Sequence, residues 1–255
     1  MKRFLTIVAG LAMALTLASC DKENAEKEVV GTWKTNGEDA HFFQVSFDAK
    51  GNFDWQVLGV SEVRETGTYT NSDNTLVLTT KKYYDRWDDA TGTEYKDKWI
   101  EKKGKPGAGY TDDYAGVRTL TIHLLKDGFM YCSLKGDNMF GDMLETTFLF
   151  KDSMDQKLTA DKLKGTWKAK DASGKELAQY EFNGKNYSRL VKSDNQGNGV
   201  IWQDSGTWSY SKGVITFAGG DYDAGFKVFL DGNKLYLSHS INWGFQSSGY
   251  IYVKQ

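Results

Sequence analysis

Proline is all but missing from this chain, with Pro106 the sole example among 255 residues, so its turns must be built from something else. The 27 glycines are the obvious supply, because glycine enters the left-handed backbone region at no steric cost. Histidine is nearly as scarce. His41, His123 and His239 have no second histidine or cysteine at metal-ligand spacing, and no metal is expected. There is no Gly-x-Ser-x-Gly elbow, no His-Glu-x-x-His helix and no Gly-x-x-x-x-Gly-Lys loop. Hydrolase, zinc-protease and nucleotide chemistry thus lack their usual anchors, and the chain reads as a non-enzyme without a cofactor. Asp221 and Asp223 sit among glycines, but their spacing does not make an EF-hand loop, and an acidic turn is the simpler reading. After residue 17 no stretch approaches eighteen consecutive apolar residues, so no later segment is expected to cross a bilayer as a helix.

The first twenty residues differ in kind from the rest. Lys2 and Arg3 precede an apolar run of 14 residues, Phe4 to Leu17, and the small residues Ala18 and Ser19 lead to Cys20. This order of basic, apolar and small residues is that of a secretory signal, and the run is too short to span a bilayer. Residues 1–19 are therefore read as a cleavable signal peptide. Leu17-Ala18-Ser19-Cys20 resembles the lipobox of bacterial lipoproteins. The resemblance implies that Cys20 becomes the diacylglyceryl-bearing first residue of the mature protein, anchored in a membrane by two or three acyl chains. Residues 21–28 hold no apolar side chain larger than alanine and should be a solvated tether, reaching roughly 26 Å at about 3.3 Å per residue. A charged stretch here also resembles the surface-export signals of some Gram-negative lipoproteins, although a plain spacer has the same composition. The expected address is the bacterial cell envelope, at the outer membrane, on its periplasmic or its surface face.

Cleavage removes Lys2 and Arg3 from 32 basic residues and leaves 30 against 34 acidic ones, a charge of −4. Without a basic excess, nucleic acid is not an expected partner. Acylation of Cys20 leaves Cys132 alone, so no intrachain disulfide is expected, and Cys132 reads as a small buried hydrophobe on a strand. Aromatic residues make up 14% of the chain, and with frequent Thr and Val they point to β structure.

The chain also repeats itself. Val29-Val30-Gly31-Thr32-Trp33-Lys34 recurs as Leu163-Lys164-Gly165-Thr166-Trp167-Lys168, an offset of 134 at the glycines. A second step, Gly67-Thr68-Tyr69, recurs as Gly206-Thr207-Trp208, and each is followed by a β-branched run. Both copies close on an alternating aromatic strand ending in Lys151 or Lys254. Asp48-Ala49-Lys50-Gly51, Asp89-Ala90-Thr91-Gly92 and Asp171-Ala172-Ser173-Gly174 each suit a type I turn closed by a glycine bulge between antiparallel strands. In the second copy eight strands are expected, over 166–170, 176–183, 185–193, 199–211, 214–218, 225–230, 233–239 and 247–254. The first copy has the same plan with about thirty extra residues between Thr80 and Val117. The expected class is all-β: two tandem antiparallel up-and-down barrels or half-barrels over 29–151 and 160–255, joined through the polar segment 152–161, with a hairpin inserted near 81–117.

A Gly-x-Trp opening an eight-stranded meander resembles the lipocalins and, more closely, the short lipocalin-like domains of bacterial lipoproteins. The resemblance implies that Trp33 and Trp167 pack across the closed end of each barrel, behind Gly31 and Gly165. The fuller lipocalin pattern is only approximated, by Thr111-Asp112-Asp113-Tyr114, and no arginine stands near the end of either copy.

The insertion is the richest stretch for a binding site. Tyr83-Tyr84-Asp85-Arg86-Trp87-Asp88 and Glu94-Tyr95-Lys96-Asp97-Lys98-Trp99 flank the Asp89 turn. A three-residue loop there would oppose Trp87 to Tyr95, Asp85 to Asp97 and Tyr83 to Trp99 on one face of a hairpin. Four rings around a carboxylate pair would suit a sugar face or a cation. In the plainer alternative the rings pack on the first barrel and the carboxylates splay into water. The function expected from all this is non-catalytic binding of a small apolar molecule or a glycan at the envelope. A structural or assembly module that binds another envelope protein is the competing class, because small barrels are often filled by their own side chains. An enzyme without a recognisable motif comes third.

Overall fold

The computed structural model describes residues 28–35, 41–59, 63–88, 91–94, 98–101, 116–135, 146–154, 156–192, 202–220, 224–237 and 250–255. The signal segment with Cys20, residues 111–114, His239 and the Asp221/Asp223 turn lie outside the described residues. The first copy begins with β1 (Gly31–Lys34), β2 (His41–Phe47), β3 (Asn52–Gly59), β4 (Val63–Ser72) and β5 (Thr75–Asp85). Three two-residue strands follow, β6 (Trp87–Asp88), β7 (Thr93–Glu94) and β8 (Ile100–Glu101), then β9 (Val117–Lys126), β10 (Phe129–Lys135) and β11 (Thr146–Lys151). After one helical turn, α1 (Ala160–Leu163), the second copy runs through β12 (Gly165–Lys170), β13 (Glu176–Asn183), β14 (Asn186–Val191) and β15 (Trp202–Ser211). It ends with β16 (Val214–Ala218), β17 (Ala224–Asp231), β18 (Lys234–Leu237) and β19 (Tyr250–Lys254).

Each copy is a closed, eight-stranded antiparallel barrel. In the first, β1 to β5 continue into β9, β10 and β11, and β11 returns to pair with β1, Trp33 opposite Lys151. In the second, β12 to β19 follow chain order and close through Trp167 opposite Lys254. The strands expected in the second copy all form, with ends moved by up to three residues. The period-2 pattern explains them: Ala178, Tyr180 and Phe182 on β13, or Leu76, Leu78 and Thr80 on β5, point inward while their neighbours face out. Matched residues are offset by 139 at Gly67 and Gly206 but by 105 at Tyr131 and Tyr236, so 34 extra residues lie between β4 and β10 of the first copy. That surplus contains β6, β7 and β8.

The repeated Gly-Thr-Trp step builds one end of each barrel. Gly31 (φ +130°) and Gly165 (φ +113°) occupy a backbone region that side chains resist, and this lets the preceding segment fold over the barrel end. Trp33 and Trp167 are fully buried there. Their indole N–H groups donate to carbonyls four residues earlier, Trp33 Nε1 to Val29 at 2.7 Å and Trp167 Nε1 to Leu163 at 2.6 Å. A lysine from the last strand covers each tryptophan ring. Lys151 Nζ lies 4.6 Å from the Trp33 ring centre and Lys254 Nζ 5.1 Å from that of Trp167. Lys151 also donates to the carbonyls of Glu28 and Val30, and Lys254 to that of Lys162, tying the entering segment to the last strand.

Gly67 and Gly206 are required for a different reason. A Cβ at either would collide with a neighbouring carbonyl oxygen, of Thr79 or of Ala218, and the rings of Phe53 and Tyr187 cover the two glycines from inside. The sheet bends sharply here, with a bulge between Thr66 and Gly67.

Besides one core per barrel there is a third apolar cluster between them, formed by Phe129, Phe148, Phe150, Phe229 and Tyr236. Phe129 stacks on Phe229 at 4.4 Å between ring centres. Lys126 and Asp231 are equivalent residues of the two copies, as are Tyr131 and Tyr236. Both equivalent pairs meet each other, the first as an ion pair of 2.8 Å and the second at 6.1 Å between rings. Equivalent residues in contact are the mark of a two-fold relation, here a pseudo-two-fold along the strands. Asp152, in the connection, pairs with Lys34 at 2.7 Å and lies 3.8 Å from Lys227.

Trp167→Ala should cost about 3 to 5 kcal/mol in urea unfolding, the usual loss for emptying a buried tryptophan site. Phe129→Ala should cost a similar amount and separate the unfolding of the two barrels into two transitions. A single unshifted transition for Phe129→Ala would show that the aromatic cluster does not couple them.

Candidate functional site

Each barrel places a buried carboxylate two residues before the strand glycine, Glu65 before Gly67 and Asp204 before Gly206. The two-residue period therefore turns both inward, where an unpaired carboxylate would cost several kcal/mol. Glu65 is met end-on by Arg118 of β9, Nη1 to Oε2 at 2.6 Å and Nη2 to Oε1 at 2.8 Å, and Thr80 Oγ1 donates to Oε2 at 2.7 Å. The Arg118 guanidinium lies 5.8 Å from the Trp55 ring. In the second barrel the arginine comes from another strand. Arg189 of β14 stands where the first barrel has Trp55, each two residues beyond the ring that covers the glycine. Its Nη2 donates to Asp204 at 3.2 Å, Nη1 to the Tyr180 hydroxyl at 3.2 Å, and Tyr187 OH donates to Asp204 at 2.8 Å. Both pairs are almost completely buried.

Around these pairs the described residues pack a core of their own side chains in each barrel. The second core is built on Trp167, Tyr180, Phe182, Tyr187, Trp208, Phe217 and Tyr252, with Tyr180 and Phe182 stacked at 5.6 Å. Burial holds the phenols of Tyr180 and Tyr252 far above their ordinary value, so both stay neutral. The first core contains Trp33, Phe47, Phe53 and Trp55 together with Cys132, a buried residue on β10 whose thiol burial pushes up. Among the described residues no group of three His, Cys, Asp or Glu side chains is arranged to hold a metal ion. His123 pairs with Ser133 at 2.9 Å on the outside of β9, and the side chain of His41 lies outside the described residues.

The residues nominated from the insertion do not form one face. Tyr83 lies opposite Glu65 and packs on the first core, and the buried Asp85 lies between Val63 of β4 and Ile100 of β8. Tyr83 and Asp85 thus belong to the barrel strand β5 and take their described partners from β4 and β8. Trp87 pairs with Glu94 and Asp88 with Thr93, one residue out of the expected register. The side chain of Trp87, and Tyr95 and Asp97 altogether, lie outside the described residues. Trp99 sits under the Arg86 guanidinium at 4.7 Å.

The turn chemistry explains the slip. In the other two Asp-x-x-Gly turns the expected ladder forms, Asp48 N–H to Asn52 and Asp171 N–H to Lys175, both at 3.0 Å. Their carboxylates also accept the N–H groups two and four residues on, and barrel strands continue from each turn. The Asp89 turn joins a ladder of only two pairs outside both barrels, too short for a buried face to pin its register.

The groove that the described residues form lies instead on the outside of the first barrel. Thr32, Ser46, Asp54, Thr66 and Lys82 occupy successive strands in register, β1 to β5. With Thr68, Asn52, Lys81 and a floor at Phe47, Phe53 and Gly67 they bound an open groove of about 530 Å³. Thr32 and Ser46 share a hydrogen bond of 2.9 Å, and Asp54 is oriented by Arg64 and Gln56. Separate in sequence, these positions carry only one shared signal, a polar residue at every second place of a strand.

Arg118→Met should destabilise the protein by about 3 to 5 kcal/mol, because it leaves Glu65 buried without its counter-charge. The double variant Glu65→Leu/Arg118→Met should recover most of that loss in the same urea titration. A double variant no better than the single one would mean that apolar packing cannot replace the pair.

The sequence matches no protein-family model and no curated protein.

Proposed function

We propose that this protein is an exported, lipid-anchored, non-catalytic binding module of the bacterial cell envelope, and that it takes a glycan at the outer groove of its first barrel. The groove is the observation that carries the reading. Hydroxyls at Thr32, Ser46, Thr66 and Thr68, the Asp54 carboxylate and the Lys82 ammonium supply donors and acceptors of the kind that sugar hydroxyls exchange. Against a small apolar ligand stands the interior of each barrel, where rings and a charge pair occupy the space such a ligand needs. The anchor is inferred from the lipobox ending at Cys20.

Two measurements test the two halves. Cys20→Ala should abolish incorporation of a fatty-acid analogue in cells, since only the thiol accepts the diacylglyceryl group; label on that variant would remove the anchor. On a glycan array, Asp54→Ala should lose at least about tenfold in binding, as expected for a charged hydrogen bond worth about 1.5 to 3 kcal/mol. Its stability should stay within about 0.5 kcal/mol, as for other surface substitutions. Unchanged glycan binding by Asp54→Ala, or no glycan bound by the parent, would rule out the groove and leave the assembly module as the better reading.

A further inference from the structure

The up-and-down order of antiparallel strands puts alternate connections at the same end of a barrel. In the second barrel the turns 184–185, 212–213 and 232–233, helix α1 and the last strand all meet at the Trp167 end. They are knitted there by backbone bonds: Trp208 N–H to Lys185, Val228 N–H to Gly213 and Lys254 N–H to Asn233. This end carries seven exposed lysines, Lys157, Lys162, Lys164, Lys185, Lys212, Lys234 and Lys254, the last of them engaged with Trp167 and the Lys162 carbonyl. Its acidic residues are Asp161, paired with Lys164 at 2.6 Å, Asp231, paired with Lys126, and the exposed Glu181 opposite Thr166, so lysines outnumber carboxylates by more than two to one among the described residues. The chain is acidic overall, so this is a local concentration of charge rather than a reflection of composition. The same end of the first barrel differs, for its turns open on Asp48, Asp73 and Asp127.

The placement of this patch is fixed by the fold. Val29 is buried in the first core and Lys151 binds the Glu28 carbonyl, so the chain enters the first barrel at its Trp33 end. The ion pair between Lys126 and Asp231, each next to a turn at the closed end, holds the closed ends of both barrels on one side. A tether of residues 20–28 would keep that side within roughly 30 Å of the bilayer at about 3.3 Å per residue.

We propose that the lysine-ringed closed end of the second barrel is an electrostatic docking surface for the phosphate-bearing headgroups of an anionic bilayer. Clustered lysines at a membrane surface bind anionic lipid without a shaped pocket, and they do so within a Debye length of it, about 10 Å at moderate salt. Docked in this way, the protein presents the opposite ends of both barrels, and the insertion that leaves the first, away from the membrane. The proposal takes from the preceding reading only the side on which the bilayer lies.

The test uses the chain from residue 20 onward with Cys20→Ser, which cannot be acylated, so that its outcome is separate from that of the anchor. Sedimentation is measured with vesicles of phosphatidylcholine alone and of phosphatidylcholine with phosphatidylglycerol in equal parts. Binding is expected only to the anionic vesicles and should weaken as salt is raised. Lys185→Glu/Lys212→Glu/Lys234→Glu should lose at least about tenfold, and the Gln triple at the same positions should lose less but measurably, both with unchanged circular dichroism. Inorganic phosphate at the same phosphate concentration should not displace the protein. Equal binding to neutral vesicles, undiminished binding by the folded Gln triple, or full displacement by inorganic phosphate would each overturn the proposal.

Discussion

At the closed end of each barrel an indole N–H is satisfied by a carbonyl four residues before it, under the ammonium group of a lysine from the last strand. Much of the molecule depends on this contact. The hydrogen bond folds the entering segment across the barrel, and the lysine joins that segment to the final strand, so first and last strands are held together where the ring must close. A buried tryptophan with an unsatisfied N–H would be costly, and the strap carbonyl removes that cost at the point where the chain enters. The same geometry determines which end of the barrel the N-terminal tether leaves from.

With both barrels closed in this way, the described residues inside each include aromatic rings and a buried ion pair. Glu65 and Asp204 occupy equivalent places, yet their arginines come from strands that are not equivalent, β9 and β14. An inward carboxylate is thus a shared feature of the two copies, and each has found its own counter-charge. The arrangement has the stability logic of a buried pair, in which loss of one member is costly while joint replacement is cheap. It carries no nucleophile and no site for a metal among the described residues. The two sites proposed above lie on the outer surface, at the groove of the first barrel and the lysines of the second.

The two copies are more than tandem neighbours. Outer positions of β9 to β11 and of β17 to β19, which would be polar on an isolated barrel, are aromatic and bury against each other. The pseudo-two-fold relation places Lys126 beside Asp231 and Tyr131 beside Tyr236, so a self-complementary face has been partly differentiated, with an acid on one copy and a base on the other. This sets the two closed ends side by side, a condition that the bilayer proposal relies on.

Local pattern alone was enough for much of this. The period-2 alternation, the two Gly-Thr-Trp openings and the Asp-x-x-Gly turns at Asp48 and Asp171 determined the strand count, the domain division and the all-β class, because each depends on contacts within a few residues or within one hairpin. The lysines over Trp33 and Trp167 stand at the expected strand ends, but their contact with the rings exists only once the last strand pairs with the first. What only the tertiary structure decided is long-range. The partner of Glu65 lies 53 residues away, the row of groove residues exists only once five strands are in register, and Phe129 meets Phe229 across two separate barrels. The insertion shows the limit most clearly. Its sequence reads as a hairpin with paired carboxylates, but a ladder of two pairs has no buried face to resist a one-residue slip, and the strands of the barrel drew Tyr83 and Asp85 into a different partnership.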